Sequence, residues 1–250
     1  MLGKYTFALN AAAYAFTAWR LIARGLPKRQ PALLVFLLLR CLLAWSSVAL
    51  TGRAPLYFWS YVLLTPFDSL VSILAVRESL GLVLYQYPGI RSLGRWTMYG
   101  AVSVSLLVAV VITAAYWRGD SVRSNLYYIE VGTRSIAFGL AVVVASLLVF
   151  LSHYRLDLSR NRIVSSVAFG CVVLAEAVTL FIDSNSVHLV SPLVDNVNGI
   201  FGTMCVLLWG LFLEREEVSE SRAPRPPRMK DERNLRQLQA LEQFASRIGR

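Results

Sequence analysis

Charge is scarce in this sequence. Only 16% of the residues are charged, against roughly 25% in ordinary soluble domains, and 56% are hydrophobic. Most of the chain is therefore expected to lie within a membrane, and one membrane domain with a short soluble tail accounts for the whole length. The net charge of +10 would suggest nucleic acid, but the basic residues concentrate in short loops and in the tail. We therefore expect the lipid bilayer as a partner, and no nucleic acid.

Lysine and histidine are also rare, which argues against two classes of membrane protein. The three lysines are Lys4, Lys28 and Lys230, and none lies inside an apolar segment, so a retinal Schiff base has no attachment point. The two histidines, His153 and His188, fall in loops predicted on opposite sides of the membrane. A histidine pair holding a haem within the bilayer is therefore not expected.

Metal-binding and catalytic patterns are missing as well. Cys41, Cys171 and Cys205 lie inside apolar stretches without paired spacing, which predicts neither a disulfide framework nor a zinc site. The sequence has no His-Glu-x-x-His, no Gly-x-Ser-x-Gly and no glycine-rich phosphate loop. We expect no enzyme activity, no catalytic residue, no cofactor and no metal.

Long apolar segments are abundant. Each is long enough to cross a hydrocarbon core of about 30 Å as a helix. The predicted segments are residues 5–23, 32–51, 56–86, 94–117, 126–151, 163–183 and 192–213. Short connections rich in Gly, Pro and Asp separate them, so most neighbours should be antiparallel. The sequence predicts an all-α, polytopic bundle of seven transmembrane helices over residues 1–213.

The distribution of basic residues predicts the orientation of the bundle. The first, third and fifth loops and the tail share one predicted side, and the remaining loops share the other. The first side carries Arg20, Arg24, Lys28, Arg29, Arg91, Arg95, Arg155, Arg160, Arg162 and nine Lys or Arg residues after Leu213, whereas the other carries Lys4, Arg53, Arg118 and Arg123. Because cytoplasmic loops are enriched in Lys and Arg, we expect the N-terminus outside and the C-terminus in the cytoplasm of the cell inner membrane.

The sequence changes character after the seventh segment. Residues 214–230 are charged and proline-rich, which is typical of an extended linker. In residues 231–250, Leu235, Leu238, Leu241, Phe244 and Ile248 recur at helical spacing, so a short amphipathic cytoplasmic helix is predicted. This helix would lie on the anionic inner leaflet, or alternatively dock a cytoplasmic protein partner.

The third segment carries more charged residues than any other predicted segment. A charged side chain at mid-bilayer costs roughly 2.5–3.5 kcal/mol on insertion scales, so Asp68 should face protein or water. Arg40 lies about 12 Å into the second segment at a similar depth, and we expect an Arg40–Asp68 ion pair whose main role is to fix packing. Arg77 and Glu78 form a charged pair at the inner end, and Pro66 should bend the segment.

Polar residues also gather near the predicted outer face. Glu130 and Arg134 are spaced for a same-face ion pair, and Glu176 falls near the depth of Arg134, so that one arginine would serve two carboxylates. With Asp183, His188, Asp195, Asn196 and Asn198 these residues form a hypothetical ligand-binding vestibule that opens outward. The alternative is that residues 191–198 are simply an extracellular cap. Gly132, Gly139, Gly199 and Gly202 are interpreted as helix-packing positions.

Several short motifs carry a resemblance. They are Tyr57-Phe58-Trp59-Ser60-Tyr61, Val76-Arg77-Glu78, Arg134-Ser135, Tyr154-Arg155, Phe169-Gly170 and Trp209, followed by the terminal segment from Leu235 to Ile248. The chain resembles a group of bacterial seven-helix integral membrane proteins without an assigned activity, and more loosely the seven-helix input regions of bacterial sensor kinases. The resemblance implies a topology and no catalytic residue.

Three functions are compatible with this pattern. The first is a sensory, ligand-binding or scaffold module that acts through a separate cytoplasmic partner. The second is a small proton-coupled transporter that uses Asp68, Glu130 and Glu176, although no inverted repeat is visible in the sequence. The third is a structural subunit of a larger membrane complex, for which lipid-facing surfaces and no pocket would be expected.

Overall fold

Seven α-helices make up the described part of the chain. The computed structural model describes residues 2–27, 30–50, 54–84, 88–115, 122–153, 160–185 and 191–213 and residue 240, and no strand occurs in these ranges. The helices are α1 Leu2–Ala23, α2 Pro31–Ala49, α3 Ala54–Val83, α4 Pro88–Ala115, α5 Val122–His153, α6 Arg160–Asn185 and α7 Ser191–Phe212. The all-helical fold is confirmed, and seven helices lie where the seven segments were predicted. The linker 214–230 and nearly all of the predicted helix 231–250 lie outside the described residues.

The largest difference in a predicted boundary is at the start of α4. This helix begins at Pro88 rather than at residue 94. The prediction treated Pro88 and Gly89 as a loop, but proline is favoured at the first position of a helix, where its missing N–H has no partner to lose. The helix therefore gains an extra turn and a half that carries Arg91 and places Arg95 in the second turn of α4.

Five helices of the described part are long and apolar enough to cross a membrane. These stretches are Pro31–Ala49, Phe58–Val83, Ile90–Val111, Ile129–His153 and Asn161–Leu180. The described part of α7 adds a shorter apolar stretch, Asn196–Phe212, whereas α1 is not among the candidates. The protein is therefore a helical membrane protein, and the polar side chains that set α1 apart face α7, as described below.

The burial pattern differs from that in a water-soluble protein, because large apolar side chains cover the exterior as well as the core. Large apolar side chains lie on the outside: Val104, Leu107, Val110 and Val149 are each about two-thirds exposed. Polar side chains lie inside, among them Thr17, Gln30, Thr65, Asp68, Ser69, Ser72, Ser79, Asn161, Ser165, Ser166 and Thr203. An apolar exterior suits lipid, and buried polar groups must then find partners within the bundle.

Helix α3 lies at the centre of the arrangement. It packs against α2, α4, α5 and α6, whereas α1 packs against α2 and α7, and α6 packs against α5 and α7. The helix continues through Pro66 without interruption. Charged residues on α3 can consequently reach several neighbouring helices, which is why the third segment carries charge at a tolerable cost.

A glycine turn connects α1 to α2. Gly25 has a φ of 75°, a left-handed conformation that a residue without a Cβ adopts easily. The Gly25 N–H donates to the Ile22 carbonyl at 3.0 Å, and the Leu26 N–H donates to the Leu21 carbonyl at 3.2 Å. This bonding pattern caps the last carbonyls of α1 and ends the helix.

Candidate functional site

One guanidinium group joins three helices inside the bundle. Arg40 Nη2 on α2 lies 2.7 Å from Asp68 Oδ2 on α3, and it donates to Glu176 Oε1 and Oε2 on α6 at 2.9 and 2.7 Å. The structure therefore brings Arg40 and Asp68 together as the sequence predicted, and it adds Glu176. We call these three residues the charged triad.

The charged triad is mostly withdrawn from solvent. The exposed fractions of the side chains are 19% for Arg40, 10% for Asp68 and 28% for Glu176. The Arg40 guanidinium carbon also lies 5.2 Å from the centre of the Phe36 ring, a favourable position for a cation over an aromatic face. Two ionised carboxylates on one arginine leave one excess negative charge, which favours a proton or a cation nearby.

Part of the triad's hydrogen-bonding capacity is unused by the described residues. Asp68 Oδ1 and Arg40 Nε are buried and have no hydrogen-bond partner among them. A cavity of about 20 Å³ adjoins Asp68, with Ser69, Ser72 and Thr133 in its wall. This volume is close to the space that a single water molecule occupies.

A larger polar cavity lies on the other side of Arg40 and Glu176. Its volume is about 200 Å³, and α1, α2, α6 and α7 enclose it. The polar groups that line it, besides Arg40 and Glu176, are Asn10, Tyr14, Thr179 and Asn198. We call this space the polar cavity. It offers hydrogen-bond donors and acceptors around a charged floor, as small-molecule sites do.

The polar cavity exists because long side chains, rather than backbone contact, connect α2 to α6. The two helices share no close backbone approach. Ser165 donates to Gln30 at 3.3 Å, the Phe36 and Phe169 rings meet edge to face at 5.2 Å, and Arg40 binds Glu176. These bridges keep the helices apart and leave space beyond the last of them.

The bundle interior is closed on the side of the triad that faces the start of α2. Phe36, Phe169 and Trp209 are fully buried, and Trp209 Nε1 donates to Ser165 Oγ at 3.1 Å. The polar cavity therefore extends toward the opposite end, where α6 ends and α7 begins. Arg40 lies nine residues before Ala49, so the triad sits about 14 Å below that end of α2.

A row of polar contacts, which we call the polar row, joins α1 to α7 beside the polar cavity. Thr6 donates to Asn196 at 3.4 Å, Thr203 to Asn10 at 3.0 Å, Thr17 to the Val206 carbonyl at 2.7 Å, and Arg20 to the Gly210 carbonyl at 3.1 Å. The residue numbers rise together along both helices, so α1 and α7 run parallel. The row explains why α1 carries polar side chains.

Small residues allow the close approach of α1 and α7. A Cβ added at Gly199 would lie 2.8 Å from Thr6, and one added at Gly210 would lie 2.8 Å from Thr17 Oγ1. The packing role predicted for Gly199 is confirmed. At Gly202, in contrast, an added Cβ would meet nothing within 4 Å, because this glycine lines the polar cavity.

The predicted outer cluster does not assemble as expected. Glu130 and Arg134 form their i, i+4 pair at 2.7 Å on α5, but neither lines the polar cavity. The expected sharing of Arg134 between Glu130 and Glu176 is wrong, since Glu176 binds Arg40. Depth was estimated correctly for Glu176, but sequence gives no rotation about the helix axis, and α6 turns this side chain toward α2.

The remaining members of that cluster divide into two groups. Asn196 contacts Thr6 of α1 and belongs to the polar row. His188 and the side chains of Asp183 and Asp195 lie outside the described residues. Within the described part, Glu176 and Asn198 are the members of the predicted outer cluster that line the polar cavity.

Sequence reasoning missed the contribution of α1 to the site. Asn10 and Tyr14 line the polar cavity, and neither was singled out. A usable signal was present: Thr6, Asn10, Tyr14 and Thr17 follow one another at intervals of three or four residues, which places them on one helical face. A polar stripe on an apolar helix indicates a face directed at protein.

Arg77 and Glu78, predicted as a charged pair at the inner end of the third segment, do not pair with each other. Glu78 accepts hydrogen bonds from the backbone N–H groups of Ala32 at 2.6 Å and of Leu33 at 3.5 Å, so it caps the start of α2. Gln30 occupies the N-cap position of α2 but makes no capping bond with its side chain. Adjacent residues of a helix point in different directions, and Arg77 instead lines a basic cleft with Arg91 and Arg95.

Within the described residues, no group of His, Cys, Asp and Glu side chains could hold a metal ion. Comparison of the chain with protein-family models, with curated proteins and with solved structures finds no match. The geometry of the charged triad and the polar cavity is therefore the basis for a functional hypothesis.

Proposed function

We propose that this protein is a seven-span protein of the bacterial inner membrane that binds a small polar solute in the polar cavity and acts through a separate partner. The observation that carries the proposal is the cavity itself: about 200 Å³, lined by polar and apolar residues together and ending on Arg40 and Glu176. A bundle that served only as a packing subunit would fill this space, because voids in cores are costly.

The charge of the triad specifies the preferred solute. One arginine between two carboxylates leaves excess negative charge at the floor of the cavity. Glu176 is the most exposed member of the triad and lines the cavity. Tyr14, Asn10 and Asn198 supply hydrogen-bonding groups around it. A small primary amine therefore fits better than a small anion.

Seven spans and a cytoplasmic C-terminus complete the proposal. Apolar stretches in α2 to α6 are long enough to cross a bilayer. The polar row on α1 is satisfied by α7, so α1 can span without exposing these groups to lipid. The predicted segment 231–250 would be the contact with the cytoplasmic partner.

Fusion of a reporter after residue 250 is expected to report the cytoplasm. Green fluorescent protein fused there should fluoresce and alkaline phosphatase should be inactive, because the excess of Lys and Arg keeps this side inside. A second fusion after residue 186, in the connection that follows α6, should give the opposite pair of signals. Active phosphatase after residue 250 would contradict the orientation.

Filling the polar cavity is expected to abolish solute binding without unfolding the protein. Gly202→Leu places a side chain in open space, and Gly100→Leu is the matched control because its added Cβ also meets nothing within 4 Å but lies on the exposed surface. Ethanolamine, glycerol and acetate represent cationic, neutral and anionic solutes. Binding of ethanolamine should raise the melting temperature of wild type and Gly100→Leu, since a ligand at about 100 times its Kd adds about 2.7 kcal/mol.

Two results would contradict the binding proposal. One is the absence of any shift with all three solutes at concentrations where the controls remain folded. The other is an equal shift in Gly202→Leu, which would place the solute elsewhere. If no solute shifts the melting temperature, a structural subunit becomes the better interpretation of the bundle.

A carrier is the second candidate, because the triad has cavities on both of its sides. The small cavity at Asp68 and the polar cavity are separated by Arg40 and Glu176, which line both. The same protein in vesicles distinguishes the two functions: a carrier would change the internal pH when ethanolamine is added outside, and Glu176→Gln would remove this change. Binding without flux favours a sensor.

A further inference from the structure

The start of α4 and the end of α3 form a cleft with strong positive charge. The cleft has a volume of about 410 Å³ and contains Arg77, Glu78, Gly81, Arg91 and Arg95. It is separate from the polar cavity and shares no lining residue with it. We propose that this basic cleft binds a phosphate group through Arg77, Arg91 and Arg95.

Glu78, the one carboxylate among the described residues that line the cleft, is already engaged. Glu78 accepts the backbone N–H groups of Ala32 and Leu33 at the start of α2. Among the described residues, Arg91 Nε and Arg95 Nε are buried and have no hydrogen-bond acceptor. Three guanidinium groups thus line one cleft, and two of them have a buried N–H donor without an acceptor. Buried donors without acceptors are costly.

The position of Arg91 and Arg95 on their helix increases the need for an anion. Both lie in the first two turns of α4, which begins at Pro88, and their i, i+4 spacing places them on one face. Two cations at a helix N-terminus add to the positive end of the helix dipole, whereas an anion there is favoured. An anion between the two arginines reduces the repulsion between their charges and the repulsion of each charge by the helix dipole.

A phosphate group matches the cleft better than a carboxylate does. Its tetrahedral oxygens can accept from arginines on two different helices at the same time, whereas a carboxylate is planar and presents one edge. Leu74 and Leu82 form an apolar part of the wall, and Leu74 is about half exposed. Trp96, next to Arg95, is 71% exposed, as is typical of tryptophan at headgroup level.

The phosphate has two possible sources, a phospholipid headgroup and a soluble phosphate. Titration of the purified full-length protein in detergent separates them, with bound species counted by native mass spectrometry. One arm uses phosphatidylglycerol, a second uses phosphatidylcholine, and a third uses inorganic phosphate against chloride at equal ionic strength. Wild type should bind phosphatidylglycerol more tightly than phosphatidylcholine if the source is lipid.

Arg91→Gln/Arg95→Gln is expected to weaken phosphatidylglycerol binding by about tenfold or more, because each lost charge-assisted bond contributes on this scale. Arg24→Gln removes one positive charge, half of what the double variant removes, on the same predicted side without touching the cleft, so it should bind like wild type. Arg91→Lys/Arg95→Lys keeps the charge and should show a smaller loss, which tests the site even if the glutamine variant fails to fold.

Binding of inorganic phosphate by wild type, lost in Arg91→Gln/Arg95→Gln, would also support the site and would assign it to a soluble phosphate. Equal affinities of wild type, Arg24→Gln and both double variants for phosphatidylglycerol, together with no binding of phosphate, would overturn the proposal. The result does not depend on solute binding in the polar cavity.

Discussion

Replacement of Arg40 by methionine is expected to lower the free energy of unfolding by about 3–5 kcal/mol, the cost of breaking a buried ion pair from one side. The variant removes the charge that Asp68 and Glu176 share, and it leaves two carboxylates facing each other inside the bundle. It also removes the only described bond that joins α2, α3 and α6 at one point. Unfolding in detergent, followed by tryptophan fluorescence and circular dichroism, measures the loss.

Two variants identify the cause of that loss. Arg40→Met/Asp68→Asn/Glu176→Gln removes all three charges, and it should recover most of the stability because no unpaired charge remains. Arg134→Met breaks a partly exposed i, i+4 pair with Glu130, which contributes about 0.3–0.5 kcal/mol, so it should cost less than Arg40→Met. If Arg40→Met were as stable as Arg134→Met, the triad would not stabilise the bundle.

Substitution of Gly210 by alanine is expected to be the most damaging single-methyl change on α7. The added Cβ would lie 2.8 Å from Thr17 Oγ1 and 3.0 Å from the Phe16 ring. Thr17 cannot move freely, because its hydroxyl donates to the Val206 carbonyl at 2.7 Å. Overpacking of this kind costs about 1–3 kcal/mol, and here it would separate α1 from α7.

Gly202→Ala is the matched control on the same helix. Its added Cβ meets nothing within 4 Å, and alanine is the better helix former by about 0.5–1 kcal/mol. We therefore expect Gly210→Ala to lower and Gly202→Ala to maintain or raise the melting temperature in the same detergent. Equal changes in the two variants would mean that the α1 and α7 interface is not as close as described.

The charged triad connects solute binding with the effect on a partner, the two parts of the proposed function. Glu176 lines the polar cavity and also holds Arg40, which in turn holds Asp68 on the central helix α3. A cationic solute that competed for Glu176 would therefore weaken the link between α6 and α2. In the proposed function, this change in helix packing is the physical route from solute binding to the proposed cytoplasmic partner.

The sequence alone determined where the helices lie and which ion pairs form between residues at equal depth or on the same helix. Apolar length predicted seven segments, and their bounds differ most from the observed helices at the start of α4, where the helix begins at Pro88. Arg40 and Asp68 were paired correctly because adjacent antiparallel helices bring equal depths together. Glu130 and Arg134 were paired correctly because both lie on one helix, where spacing fixes the geometry.

Only the tertiary structure decided which helix faces which. Glu176 was placed at the right depth but assigned to the wrong arginine, and Asn10 and Tyr14 of α1 were missed although they line the polar cavity. The physical reason is that residue spacing gives height along a helix axis, whereas the rotation of each helix and the identity of its neighbours follow from packing of the whole bundle. A cavity enclosed by four helices depends on all of these rotations at once.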